Sequence, residues 1–336
     1  MYVNRLSLYR ELEELRESKL LVYITGDRPG METQIAPDVV DYFIEHLDKI
    51  GVTRKISLLL YTRGGDTLTA WSIVNLIRQF CDEFEVIIPS KAHSAGTLIS
   101  LGANRILMTK QATLGPIDPS VNTPLNPQIP GGAVTAKLPV SVEAVKGFLE
   151  LAKDELSITD QNGLTQVLNK LADFVHPLVL GQVFRARTQI KMLAERLLQS
   201  QISNEEKKQK IISFLCSDSG SHDYTINRRE AKDYLGLNID KPNEYMYNLL
   251  KNIYTDIKNE MLLNTRYNPN ALLTNVSSTD YSFTRVILES LDGGSDIFVS
   301  EGILTKVSIA GHAGGIPSQT AINDNRRYEG WKHVNE

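Results

Sequence analysis

One hydroxyl and one pair of glycines sit where chemistry is possible. Ser94 lies in Lys91-Ala92-His93-Ser94-Ala95-Gly96-Thr97, between an apolar run at 84–88 and a small-residue stretch that reads as a helix. Gly64-Gly65-Asp66 closes a second apolar run, at 55–61. Paired glycines adopt backbone conformations closed to other residues, so their N–H groups can face outward. A serine that opens a helix has the Ala95 N–H beside it, free because the first helical turn has no internal partner. Donors at Gly64 or Gly65 and at Ala95, converging on one oxygen, would form an oxyanion hole, where a single donor is worth ~2.7–4 kcal/mol of transition-state stabilisation. Each piece also has a plain structural reading: a diglycine is a tight turn, and a serine at a helix start is an N-cap worth ~1 kcal/mol. Their occurrence on consecutive strand–helix units points to catalysis.

Those units recur through the first third of the chain. A short charged helix at 5–18 leads to a strand at 20–25, which ends in the turn-rich Gly26-Asp27-Arg28-Pro29-Gly30. Helical spacing follows over 37–50 through Val39, Val40, Phe43, Ile44 and Leu47, with His46 read as a surface residue beside Glu45. The strand at 55–61, an amphipathic helix at 67–82, the strand at 84–88, the Ser94 helix and a strand at 105–108 complete the pattern. Short strands apolar on both faces, separated by helices, predict a mostly parallel layered α/β core over 18–112.

The remainder changes character. Six prolines and Gly131-Gly132 punctuate 115–140, a segment that is either a functional flap or disordered. Residues 141–215 turn helical, with a break at His176-Pro177, and a second helical block spans 227–262. Runs at 282–289 and 297–300 flank Leu291-Asp292-Gly293-Gly294-Ser295, a hairpin signal. The Gly-, Asn- and charge-rich stretch 310–336 reads as a mobile tail. The expected organisation is one catalytic domain over 1–240 and a helix plus C-terminal extension over 241–336.

Composition removes several classes of function. Thirty-six basic against 40 acidic residues give a net charge of −4, which offers nucleic acid no basic surface. Two cysteines, Cys81 and Cys216, lie in no metal-ligand spacing and argue for a reducing compartment. The N-terminus has no signal-peptide core, and the apolar runs fall short of the ~20 residues that span a bilayer. These features predict a cytoplasmic protein without membrane insertion. No metal or nucleotide site is legible, and no Gly-x-Gly-x-x-Gly follows a strand, so no cofactor is expected.

Taken in order, Gly64-Gly65-Asp66, His93-Ser94-Ala95-Gly96-Thr97 and Ala112-Thr113-Leu114-Gly115-Pro116-Ile117-Asp118-Pro119 resemble the motifs of SDH (serine dehydrogenase) proteinases, Clp-fold serine proteinases. These are related to the Clp protease proteolytic subunit and to signal-peptide peptidase A. The resemblance continues through His176-Pro177-Leu178, Ser221-His222-Asp223-Tyr224, Arg228-Arg229-Glu230-Ala231 and Leu235-Gly236-Leu237, covering about residues 20–240. It implies a Clp/crotonase-like layered fold of repeated ββα and βαβ units, with a helical region and a small C-terminal extension bearing the hairpin. It also implies peptide-bond hydrolysis through a Ser94 acyl-enzyme, with the oxyanion held by main chain around Gly64, Gly65 and Ala95. The substrate would be an extended peptide or unfolded protein that adds a strand to the sheet. Assembly into a homo-oligomer would use apolar helical stripes such as Leu168, Leu171, Phe174 and Val175, or Met192, Leu193, Leu197 and Leu198.

A serine needs a partner to take its proton, and here the chain departs from the better-known relatives. The Clp proteolytic subunit carries its histidine on the strand after the nucleophilic helix, where this chain has Thr109-Lys110. The lysine of signal-peptide peptidases has no matching motif around Lys137 or Lys146. His222, flanked by Asp218 and Asp223, is the leading candidate, with Asp223 or Asp218 orienting the ring. Lys110, Lys137 and His176 remain alternatives; His176 also reads as a helix-terminus residue. His93 and Gly96 are expected to shape the site, and Asp118 to position the loop around the substrate. Two other functions stay open. One is a catalytically inactive peptide-binding or assembly module. The other is a crotonase-type acyl-CoA enzyme, although the acid/base carboxylates usual there are absent from 92–102.

Overall fold

Strands that are apolar on both faces must be covered on both faces, and this requirement organises the first of two units into which the chain divides. The first unit comprises Met1–Thr113 and Asn238–Glu336, the second Leu114–Leu237. The computed structural model describes every residue except 118–119, 132, 134, 219–220, 222, 310–318 and 335–336.

The first unit opens with α1 (Tyr2–Arg16) and β1 (Lys19–Thr25), followed by α2 (Val39–Ile50), β2 (Thr53–Tyr61) and α3 (Thr67–Ile77). Then come β3 (Cys81–Ile88), the two-residue β4 (Lys91–Ala92), α4 (Ala95–Leu101) and β5 (Arg105–Met108). The strand β6 (Thr113–Leu114) falls at the boundary of the two units. Strands β1, β2, β3 and β5 pair in parallel, as predicted. Side chains alternate across them: Leu20, Val22, Ile24, Leu59, Tyr61 and Ile87 share one buried cluster with Tyr9 and Leu12 of α1. On the opposite face, Tyr23 meets Phe43 of α2 edge-on, with ring centroids 5.2 Å apart.

The second unit contains β7 (Ser120–Val121) paired with β8 (Val140–Ser141), then α5 (Val142–Glu150), α6 (Gln161–Phe174), α7 (Pro177–Leu198), α8 (Glu205–Ser213) and β9 (Ile226–Asn227). The proline-rich loop between its first two strands is organised by the buried Asn126 amide, which donates to Val121 O at 2.7 Å and Leu138 O at 2.9 Å. Val121, Val140, Val142, Val179 and Val183 form a small core. Of the two helical stripes expected at an interface, Leu193, Leu197 and Leu198 are buried within α7, whereas Leu168 and Phe174 are exposed.

The chain returns to the first unit with β10 (Ile239–Asp240), parallel to β5, and α9 (Glu244–Glu260), whose Met246, Leu249, Leu250, Ile253 and Ile257 close the core beside α1. A four-residue helix, α10 (Pro269–Leu272), precedes three long antiparallel strands. These are β11 (Ser278–Ser290), β12 (Gly294–Ile309) and β13 (Gln319–Val334), and they extend the sheet to eight strands in the order β10-β5-β3-β2-β1-β11-β12-β13. The expected hairpin is present, but it is longer than its apolar runs suggest. The supposed tail over 319–334 is a full strand, paired with β12 from Gln319 opposite Ile309 to Val334 opposite Ser295.

A buried ion pair locks this extension to the core. Arg5 and Glu289 are both fully buried. The guanidinium donates Nη2 to Glu289 Oε1 at 2.6 Å and Nε to Oε2 at 3.2 Å. Tyr9 Oη and Ser295 Oγ donate to the same carboxylate at 2.6 and 2.9 Å. Breaking one side strands the other charge in the core. Arg5→Met is therefore expected to cost ~3–5 kcal/mol, and Arg5→Met/Glu289→Gln to recover part of that loss. Denaturant unfolding midpoints check this; a double variant no more stable than the single one would refute the account.

Candidate active site

Two short main-chain pairings bring the diglycine to Ser94. Thr62 and Ala92 form a parallel bridge, with Thr62 N–H donating to Lys91 O and His93 N–H to Thr62 O, both at 3.1 Å. Two residues further along each chain come Gly64 and Ser94. A Cβ placed on Gly64 would lie 2.7 Å from Ser94 Cβ and 3.2 Å from its Oγ, so only glycine permits this approach. Gly64, at φ 116°, occupies a conformation that favours glycine as well.

Ser94 itself has φ 53° and ψ −113°. A side-chain-bearing residue held there stores strain of about 1–3 kcal/mol, the kind found at functional elbows between a strand and a helix. It sits at the N-cap position of α4, yet its side chain makes no capping hydrogen bond. The plain structural reading of this serine therefore does not hold. Among the described residues, no side chain hydrogen-bonds Ser94 Oγ.

The donors separate by what already engages them. Gly64 N–H donates to Thr62 Oγ1 at 3.0 Å, and Thr62 Oγ1 also lies 2.7 Å from Thr25 Oγ1. The Gly64 amide is therefore engaged locally. Ile35 pairs with Gly65 in a parallel bridge: Ile35 N–H donates to Gly64 O and Asp66 N–H to Ile35 O, both at 2.8 Å. In such a bridge the central residue's own N–H and C=O point away from its partner. Among the described residues, neither Gly65 N–H nor Ala95 N–H donates a hydrogen bond. These two amides are thus unengaged within the described structure.

The neighbouring residues have defined positions. His93 places Nε2 2.8 Å from Thr113 Oγ1. Gly96 lets α4 close onto β2, since a Cβ there would meet Thr62 Cγ2 at 2.4 Å. Asp66 N-caps α3, accepting from Thr69 N–H and Oγ1 at 2.6 Å. Lys91, three residues before Ser94, is committed to Asp27 Oδ2 at 2.7 Å, while Tyr61 Oη donates to Asp27 Oδ1 at 2.6 Å. Burial, together with Tyr254 and Asp27, pushes the Tyr61 phenol far above its usual range, so it remains a donor. The Lys110 ammonium lies 4.3 Å from the Tyr247 ring centroid.

In the second unit, His176 N-caps α7, its Nδ1 accepting from Leu178 N–H at 3.2 Å. Lys137 is half-buried and bridges Gln128, and Asp223 sits on an exposed turn with its N–H on Ser221 Oγ at 3.2 Å. His222 and Asp118 lie outside the described residues. His46, expected at the surface, is instead 1 % exposed. Its ring lies 2.7 Å from Ser290 Oγ and 3.0 Å from Asp296 Oδ2. It stands one turn beyond Phe43 on the buried face of α2, a place that the apolar spacing itself marks.

Residues 41–143 match the family of ClpP-like SDH-type serine proteinases. The resemblance read from the glycine and serine blocks stands over that segment, which contains Gly64, Gly65 and Ser94. Over 246 residues the chain is 28% identical to Uncharacterized protein MJ0137 of Methanocaldococcus jannaschii, covering 71% of this chain and 74% of that one. It is 25% identical over 247 residues to Uncharacterized protein MJ1495 of the same organism, covering 71% and 72%. Among solved structures, a mutant of the 1510-N membrane-bound stomatin-specific protease is similar at 17% identity and a TM-score of 0.38, covering 75% of this chain and 92% of that one. ClpP1 from Listeria monocytogenes is similar at 15% identity and a TM-score of 0.37, covering 70% and 99%.

Sequence reasoning missed Thr62 and Ile35 in this candidate site. Thr62 carried a signal, as a polar residue ending an apolar run; Ile35 acts through its main chain and carried none. The Gly96 contact can be tested directly. Gly96→Ala should lower stability by ~1–3 kcal/mol through overpacking. Thr62→Ser, which removes Cγ2 and keeps the hydroxyl, should restore it in the double variant, read as Tm.

Proposed function

We propose that this protein is a serine peptidase. Ser94 Oγ attacks the carbonyl carbon of a peptide bond, and a base takes its proton. The resulting oxyanion rests on the Gly65 and Ala95 N–H groups. Collapse expels the amine, which leaves with a proton, and water then hydrolyses the acyl-enzyme. One observation carries this reading: Ser94 is held on a strained elbow, caps nothing, and adjoins two unspent main-chain donors. The proposed base is His222, oriented by Asp223. Its support is that the described histidines of the first unit are engaged elsewhere: His93 lies against Thr113, and His46 and His333 lie against Asp296.

The substrate proposed is an extended peptide or a segment of unfolded protein. Gly65, with its N–H and C=O turned away from Ile35, offers the main-chain edge that strand addition needs. A homo-oligomer accompanies this reading. Its support is apolar exposure on the second unit, where Phe184 is 71 % and Phe174 68 % accessible. A reducing, cytoplasmic setting accords with a chain whose Cys81 and Cys216 stand outside any disulfide. Among the described residues no helix is long and apolar enough to cross a membrane.

A fluorophosphonate probe tests the chemistry. The wild type should label at Ser94, and Ser94→Ala should lose labelling and lower peptide hydrolysis by roughly 10⁴-fold or more. His222→Ala should slow labelling while leaving Ser94 intact. A folded wild type that never labels would instead point to a non-catalytic peptide-binding module.

A further inference from the structure

Gly65 pairs with Ile35, and Ile35 belongs to a loop, residues 26–38, that is closed by Thr33 N–H on Gly26 O at 2.7 Å and held at Asp27 by Tyr61 and Lys91. A further set of the loop's bonds leads to the C-terminal strands. Gly26 N–H and Thr33 Oγ1 both donate to the carbonyl of Arg285 in β11, each at 2.8 Å. The Arg285 side chain reaches back to the same loop, with Nη2 donating to Glu32 O at 2.9 Å. Its Nη1 is anchored on Glu329 Oε1 of β13 at 2.6 Å and Ser300 Oγ of β12 at 3.2 Å. One residue thus joins three strands of the extension to the segment that backs the diglycine. A second tether lies close by: Tyr267 N–H donates to Pro29 O at 2.9 Å, and the Arg28 guanidinium lies 4.7 Å from the Phe283 ring centroid.

The approach at Gly65 leaves no slack. A Cβ there would lie 2.3 Å from Ile35 O and 2.4 Å from Ile35 N, so any shift of Ile35 is transmitted to the glycine backbone. We infer that Arg285 is a positioning residue for the oxyanion pocket, and that the C-terminal three-stranded extension acts as a brace holding the Gly65 amide toward Ser94. This assigns a role to a part of the chain outside the family match, and it rests on the peptidase reading above. Arg285 acts through the loop and touches no reacting atom.

The test uses the full-length chain and two variants. Arg285→Met removes the guanidinium's bonds to Glu32, Ser300 and Glu329 while keeping the aliphatic stem. Thr33→Val removes only the hydroxyl bonds to Gly26 and Arg285, and serves should the first variant fail to fold. Two readouts are taken: hydrogen–deuterium exchange of peptides covering 33–36 and 64–66, and the rate of Ser94 labelling by a fluorophosphonate. Both variants should remain folded by circular dichroism. Exchange at the Ile35 and Asp66 amides should accelerate, and labelling should slow roughly 10- to 100-fold, the scale on which small misplacements act. Exchange unchanged from wild type would overturn the brace, whatever the activity. Faster exchange with unchanged labelling would overturn the positioning role. A wild type that does not label would overturn the peptidase reading, and with it any catalytic role for Arg285, irrespective of the exchange result.

Discussion

Three main-chain segments crowd into the space of one side chain at the diglycine. Ile35 lies against one side of Gly65, and Ser94 lies against Gly64, both at distances that forbid a Cβ. Everything else in the candidate site follows from that crowding. The Thr62–Ala92 bridge sets the register of Ser94 against the glycines, and Thr62 Oγ1 engages the Gly64 amide. Gly96 then allows the following helix to pack against Thr62. The approach is thus built almost wholly from backbone, while the side chains of Arg63 and Asp66 face outward or cap α3 locally.

The parallel strands were legible because each is a short apolar run ended by a turn signal, and a run of that kind has one stable environment, the middle of a covered sheet. Ser94 and the diglycine were legible for a related reason: small residues at consecutive strand ends mark backbone approach. The antiparallel extension was harder to see. β13 carries Asn323-Asp324-Asn325-Arg326-Arg327 and lies at the edge of the sheet, where charged residues are a protection against pairing with other chains rather than a sign of disorder. His46 shows the opposite error. A titratable residue among acidic neighbours looks exposed, but its place on the helical wheel decides its burial, and Ser290 and Asp296 supply the partners that make burial tolerable.

Ile35 and Arg285 were invisible to pattern reading because their roles rest largely on main-chain bonds. A carbonyl that accepts from Gly26 and Thr33 leaves no trace in residue type. Only the Arg285 side chain, with its donors divided among Glu32, Ser300 and Glu329, gives the contact a chemical identity, and its partners are 253, 15 and 44 residues away in sequence.

That separation bears on what the family-matched segment can do alone. Residues 41–143 contain the serine and both glycines, but Ile35 precedes the segment and β11 follows it. Without Ile35, the Asp66 amide loses its partner and the Gly64 carbonyl keeps only the longer bond from Thr62 Oγ1 at 3.3 Å, and a glycine pair is the backbone most costly to hold in one conformation. The segment therefore supplies the reactive groups, while their alignment comes from chain at both ends of the first unit. The Arg5–Glu289 pair belongs to the same logic. By fixing the start of the chain to the end of β11, it holds in register the strand whose Arg285 carbonyl receives the loop. A site made of backbone has few side chains with which to secure itself, and here the security is placed in strands that no local motif announces.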